Sequence, residues 1–116
     1  MAAGGVAGVF ARYFVVSIAA LFLGARLPWG TFAVNLTGCF LVGLLDALTS
    51  RKGFAGPHAR MLLISGFCGA YTTFSALIFE FDALLRVSPL RAGAYLLITV
   101  AAGLSLFRAG LAVGGG

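Results

Sequence analysis

The sequence predicts an all-α integral membrane protein built from four spanning helices. Three observations carry that prediction. Of the 116 residues, 61% are hydrophobic and only 9% are charged, against roughly 25% charged in soluble domains. The apolar residues gather into four runs, each close to the roughly 20 residues that a helix needs to cross a bilayer. The breaks between runs hold all three prolines and most of the basic residues, which stop helices and mark the water interface.

The first span is expected over about 4–24. Its one charge is Arg12, and Gly4, Gly5 and Gly8 offer a small-residue face. The second is expected over about 29–49, from Trp29 through an uncharged run to Leu45, with Asp46 at its end. The third is expected over about 60–84, uncharged from Met61 to Phe79 and continuing past Glu80 and Asp82. The fourth is expected over about 91–112, with Arg108 near its end. Arg26-Leu27-Pro28, the loop from Arg51 through Lys52, Gly53, Phe54, Ala55 and Gly56 to Pro57, and the segment from Arg86 to Arg91 connect them. Nothing remains for a soluble domain.

Eight basic and three acidic residues give a net charge of +5. The basic residues sit between apolar runs, so they serve as membrane flanks rather than as a nucleic-acid stripe. The N-terminus lacks a basic leader and Arg12 interrupts its apolar run, so no signal peptide is expected. Cys39 and Cys68 lie in separate apolar runs without a CxxC pattern, which reads as helix packing. His58 stands alone beside Pro57 in a loop, and one histidine builds no metal site. Paired carboxylates and Ser/His/Asp sets are missing, so the sequence does not read as an enzyme. Asp46, Glu80 and Asp82 read as helix-end groups.

Four passes place both termini on one side. That side carries Arg51, Lys52 and Arg60 in its loop, and the other carries Arg26, Arg86 and Arg91. Orientation follows the Lys/Arg bias, and three against three gives almost none. Insertion in both directions, and hence an antiparallel dimer, follows as a hypothesis.

Polar residues inside spans either pack between helices or line a path. Thr31, Asn35 and Gly38 share one face of the second span. Asn35 acts there either as helix–helix glue or as an N–H donor to an ion path, and the path is favoured once the third span is considered. The third span carries Gly66, Gly69, Thr72, Thr73 and Ser75 near mid-membrane. Two backbone forms fit this segment: a regular helix whose hydroxyls bond back to carbonyls four residues earlier, or a broken helix whose free carbonyls meet cations and whose free N–H groups meet anions. Tyr95, Thr99 and Gly103 form one stripe of the fourth span, as a packing face or as a polar track on a pore wall.

These residues together resemble the Fluc/CrcB family of fluoride channels along nearly the whole chain. The first span carries Gly4-Gly5-x-x-Gly8 followed by Arg12-Tyr13, with Val9 where alanine is usual. Gly30, Thr31, Asn35, Gly38, Phe40 and Gly43 fit the family's second helix. Gly66, Gly69, Thr72, Thr73, Phe74 and Ser75 fit its third, with Glu80 at the expected distance. The resemblance implies an antiparallel dual-topology dimer in the cell membrane, a third helix broken near its middle, two fluoride pores and passive electrodiffusion. It implies a structural Na⁺ at the dimer centre on the Gly69 and Thr72 carbonyls. Asn35 would sit on the fluoride path with Ser75, and Phe74 would present its ring edge. Thr31, Tyr95 and Thr99 would line the track, and Arg12 would act at the vestibule.

One position departs from the family. Leu77 stands where a second pore phenylalanine is usual, and Ala76 replaces a threonine. Phe79 lies roughly 200° further round the helix and cannot substitute, and Phe81 lies one turn beyond Leu77 at another depth. The partner is therefore either an identical subunit or a sister subunit that supplies the aromatic. Two competing functions are a small multidrug-resistance-type proton-coupled transporter and a non-conducting subunit of a heterodimeric channel. The first needs an acid in the first span, which holds only Arg12.

Overall fold

The computed structural model describes residues 1–24, 27–51 and 56–115. Arg26, Lys52, Gly53, Phe54 and Ala55 of the predicted loops, and the side chain of Arg51, lie outside the described residues. Among the described residues all regular structure is helical. Four helical stretches are long and apolar enough to cross a membrane: Ala2–Leu23, Trp29–Ser50, Gly56–Val87 and Pro89–Gly115.

The first span is one helix, α1 (Ala2–Leu23), closed by Gly24 at φ 81°, a left-handed value that glycine adopts without a Cβ clash. The second is α2 (Trp29–Asp46), which opens directly after Pro28 and runs into wide π-type turns over Ala47–Arg51. The third span is composite. It begins with α3 (Gly56–Arg60), continues through a π-helical stretch at Met61–Cys68, and returns to α geometry in α4 (Gly69–Tyr71). Thr72 (φ −82°, ψ 160°) and Thr73 (φ −149°, ψ 114°) are extended, and α5 (Phe74–Val87) follows. The fourth span, α6 (Pro89–Gly115), is separated from α5 by Ser88 alone. Pro89 opens α6 where its missing N–H has no partner to lose. His58, expected in a loop, instead lies on α3, because Pro57 takes a first-turn position as Pro89 does.

Side chains alone do not determine how closely the spans approach. Alpha2 and α6 run parallel, since both start at the same membrane boundary, and they share the most extensive contact. Gly43 of α2 lies against the Phe107 carbonyl, and Gly110 of α6 lies against the Phe40 carbonyl. Any Cβ at either position would collide with backbone, so the pair packs at the distance that only small residues permit. The first span packs on the π-helical stretch in the same way, with Gly4 against Leu62 and Gly8 against Phe67. Gly5, expected on that same face, has open space around it. Neighbouring residues point 100° apart on a helix, so Gly4 and Gly8 share a face that Gly5 does not.

Polar side chains close the ends. Arg60 pairs with Asp46 at 2.6 Å and donates to Ser50 Oγ at 2.7 Å and Thr49 Oγ1 at 3.0 Å, tying the end of the second span to the start of the third. Arg86 pairs with Asp82 one turn away at 2.9 Å, with both side chains exposed. Such exposed pairs contribute roughly 0–1 kcal/mol.

Candidate functional site

The two extended residues of the third span face the buried stripe of α2. Gly38 makes room for the Thr72 side chain, since a Cβ at 38 would meet the Thr72 methyl. One turn earlier, Asn35 meets Thr73 in a two-bond clamp. The Thr73 N–H donates to Asn35 Oδ1 at 2.7 Å, and Asn35 Nδ2 donates to the Thr73 carbonyl at 3.1 Å. Both residues are buried. An extended residue in lipid needs partners for its backbone groups, and Asn35 supplies both, in the manner of a neighbouring β-strand. The glue role weighed for Asn35 is therefore present, and one of its two N–H groups is outside the clamp.

Helix α5 starts from this clamp. Thr73 is its N-cap, accepting from the Ala76 N–H at 3.2 Å. Thr72 donates to the Cys68 carbonyl at 3.0 Å, the back-bond expected of a membrane threonine. Ser75 is exposed, with its hydroxyl 3.4 Å from that of Thr73. Phe74 presents 73% of its surface, whereas Leu77, one turn later, is 6% exposed.

A cavity of about 400 Å³ brings Asn35, Phe74 and Thr99 together, with Thr72, Thr73 and Leu77 also on its wall. Thr99 is buried and donates to the Tyr95 carbonyl at 2.7 Å. Cys39 lies on the same cavity beside Gly103, and Cys68 is buried behind the extended pair; both thiols are free. Thr31 and Tyr95 lie one turn nearer the other end of the parallel pair α2 and α6, outside this cavity. The buried Thr31 hydroxyl donates to Glu80 Oε1. The Tyr95 hydroxyl is buried without a partner among the described residues. Gly69 and Arg12 are away from the cavity wall, Gly69 on α4 and Arg12 midway along α1.

Glu80 corrects an expectation. It does not sit at a helix end but inside α5, where it accepts from a buried threonine. Thr73, which the sequence places in the hydroxyl cluster and in the family's third-helix motif without a role of its own, carries both the clamp and the cap. Its residue type is one that N-caps favour, but with Ala76 three residues later the capping-box spacing is missing. The pairing of Thr31 with Glu80, 49 positions apart, had none. Among the described residues no group of three or more His, Cys, Asp and Glu gathers. The oxygen donors in reach are carbonyls and hydroxyls, which suit a hard cation.

Residues 1–111 match the family described as CrcB-like protein, Camphor Resistance (CrcB). The chain is 41% identical over 116 residues to the fluoride-specific ion channel FluC of Rhizobium etli, covering 97% of this chain and 91% of the relative. It is 43% identical over 109 residues to the protein of the same name from Chlorobaculum tepidum, covering 93% and 86%. A third, from Chlorobium phaeobacteroides, is 46% identical over 84 residues, covering 72% of this chain and 65% of the relative.

Proposed function

This chain belongs to the CrcB-like family, and from that premise we propose that it is a fluoride-selective channel, exporting cytoplasmic fluoride passively as an antiparallel dimer with two pores. It is a multi-pass membrane protein and works as a channel, not an enzyme. The observation that carries the proposal is the single cavity on which Asn35, Phe74 and Thr99 meet.

Fluoride is small and holds its water tightly, so a pore that passes it must replace that water with donors of the right polarity. Asn35 offers its N–H outside the clamp. The Phe74 ring is exposed, and a ring edge is the positive end of the aromatic quadrupole. The Ser75 hydroxyl and the first N–H groups of α5 stand beside it. Thr99 would have to turn its hydroxyl from the Tyr95 carbonyl to join them. Thr31 and Tyr95 continue the track towards the other end. Arg12 would hold positive potential at the vestibule.

In this proposal the third span is a helix broken for function at Thr72 and Thr73. Its Gly69 and Thr72 carbonyls, two from each subunit, would hold a structural Na⁺. A set of neutral carbonyl oxygens fits a monovalent hard cation. The cation would supply fixed positive charge at the dimer centre.

Leu77 favours one variant of this proposal. It is buried in the protomer at the position where the family has its second pore phenylalanine, and although Phe107 also lines the cavity, a sister subunit would supply the ring missing at that position. Liposomes holding this chain alone, read with fluoride and chloride electrodes, test both versions. Fluoride efflux without chloride efflux supports the homodimer. Flux that appears only with a co-expressed sister subunit supports the heterodimer. Proton-driven substrate uptake would point to the transporter instead.

A further inference from the structure

A continuous α-helix would spend the Thr73 N–H on the Gly69 carbonyl and the Ala76 N–H on the Thr72 carbonyl, each four residues back. Neither bond forms in this protein. The Thr73 N–H goes to Asn35 Oδ1 at 2.7 Å, and the Ala76 N–H goes to Thr73 Oγ1 at 3.2 Å. Two side chains thus intercept the two amides that would close the helix on Gly69 and Thr72. The second bond of the clamp, from Asn35 Nδ2 to the Thr73 carbonyl at 3.1 Å, holds the amide so that Oδ1 faces the backbone N–H.

We propose that Asn35 and Thr73 are positioning residues that keep the Gly69 and Thr72 carbonyls out of helical hydrogen bonds and open to a cation. The inference rests on the Na⁺ assignment above and adds to it the side chains that build the site. Asn35 and Thr73 are both buried, so the intercepted amides are shielded from bulk water. In lipid the alternative partner for each amide is the carbonyl itself, because an unpaired backbone group is costly there. Removing either side chain therefore favours a closed helix and a lost cation ligand. Gly38 assists by admitting the Thr72 methyl, while the Thr72 hydroxyl bonds Cys68 and leaves its carbonyl free to point elsewhere.

The test is the thermal midpoint of the purified full-length protein in detergent, titrated with NaCl or with KCl at constant ionic strength. Wild type is expected to gain stability from Na⁺ and not from K⁺. Thr73→Val and Asn35→Leu, each close in shape to the original, are expected to need at least about tenfold more Na⁺ for the same gain, the scale of one buried hydrogen bond. Thr73→Ser keeps the capping oxygen and should titrate as wild type. Thr49→Val, which removes a comparable hydroxyl near the end of the second span, should lower the midpoint without moving the Na⁺ titration. Should Thr73→Val fail to fold, Asn35→Leu and Thr73→Ser still decide the matter. Wild type indifferent to Na⁺ would overturn the sodium assignment itself. A Na⁺-responsive wild type with an unchanged titration in Asn35→Leu and Thr73→Val would overturn only the positioning role.

Discussion

A single amide, Asn35, serves two helices at once. It pairs with both backbone groups of Thr73 and keeps one N–H outside that clamp, so a charge there changes backbone and path together. Asn35→Asp retains an acceptor for the Thr73 N–H but sets a carboxylate against the Thr73 carbonyl and beside the proposed anion route. Two like charges 4 Å apart at an effective dielectric near 20 repel by about 4 kcal/mol, or roughly a thousandfold in occupancy. Fluoride efflux from liposomes is expected to fall by at least about a hundredfold. Efflux within tenfold of wild type would place the ion elsewhere. Phe74 and Leu77 make the second residue-scale contrast: one ring exposed, one side chain buried a turn later. If the pore lacks an aromatic, Leu77→Phe should raise fluoride flux several-fold in the single-chain channel. A neutral or lower rate would show that leucine suffices.

Elements here are defined by the packing of glycine on backbone as much as by hydropathy. Gly8 and Gly43 each lie against a carbonyl of a neighbouring span, while a Cβ at Gly5 would meet nothing. Adding a methyl group therefore separates the three positions. Gly8→Ala and Gly43→Ala are expected to destabilise by about 1–3 kcal/mol, the usual range for overpacking a closed contact. Gly5→Ala should be neutral or slightly stabilising, since alanine favours helix by up to about 1 kcal/mol over glycine. Thermal unfolding in detergent measures all three, and an equal loss at Gly5 would mean that this face of α1 meets another surface. The composite third span follows from the same packing. Its π-helical stretch presents carbonyls to Gly4 and Gly8, and its extended pair lies against the α2 stripe. Strong local helix formers would have paired these amides within the span; Gly69, Thr72 and Thr73 permit other partners.

At the scale of the whole molecule, the balanced flanking charges bear on orientation. Arg60 on the termini side is paired with Asp46, and Arg86 on the opposite side with Asp82, so the two boundaries resemble each other in ion pairs as well as in basic residues. Cysteine tags at both termini, labelled in intact cells from outside, should report about equal inward and outward populations. A single orientation would rule out the antiparallel dimer. Adding two lysines to the loop between the second and third spans should then bias insertion and lower flux, because an antiparallel dimer needs both orientations.

By itself the sequence determined the four spans, because apolar run length against bilayer thickness is a local property that counting reveals. It also showed which positions are small or polar, and two of the polar ones, Asn35 and Thr99, meet Phe74 on one cavity. Partnerships between spans were decided only in three dimensions. The backbone form at Thr72 and Thr73 stayed open in sequence, since a helix that bonds back on itself and an extended pair differ by where an N–H finds its acceptor. That acceptor is Asn35, 38 positions away. Glu80 looked like a helix-end acid because nothing local announces Thr31, and Gly5 looked like its neighbours until the crossing of α1 and the third span selected one face. Hydropathy is additive along the chain and can be read in order, whereas a hydrogen bond in lipid is a choice among partners that only the packed structure brings within reach.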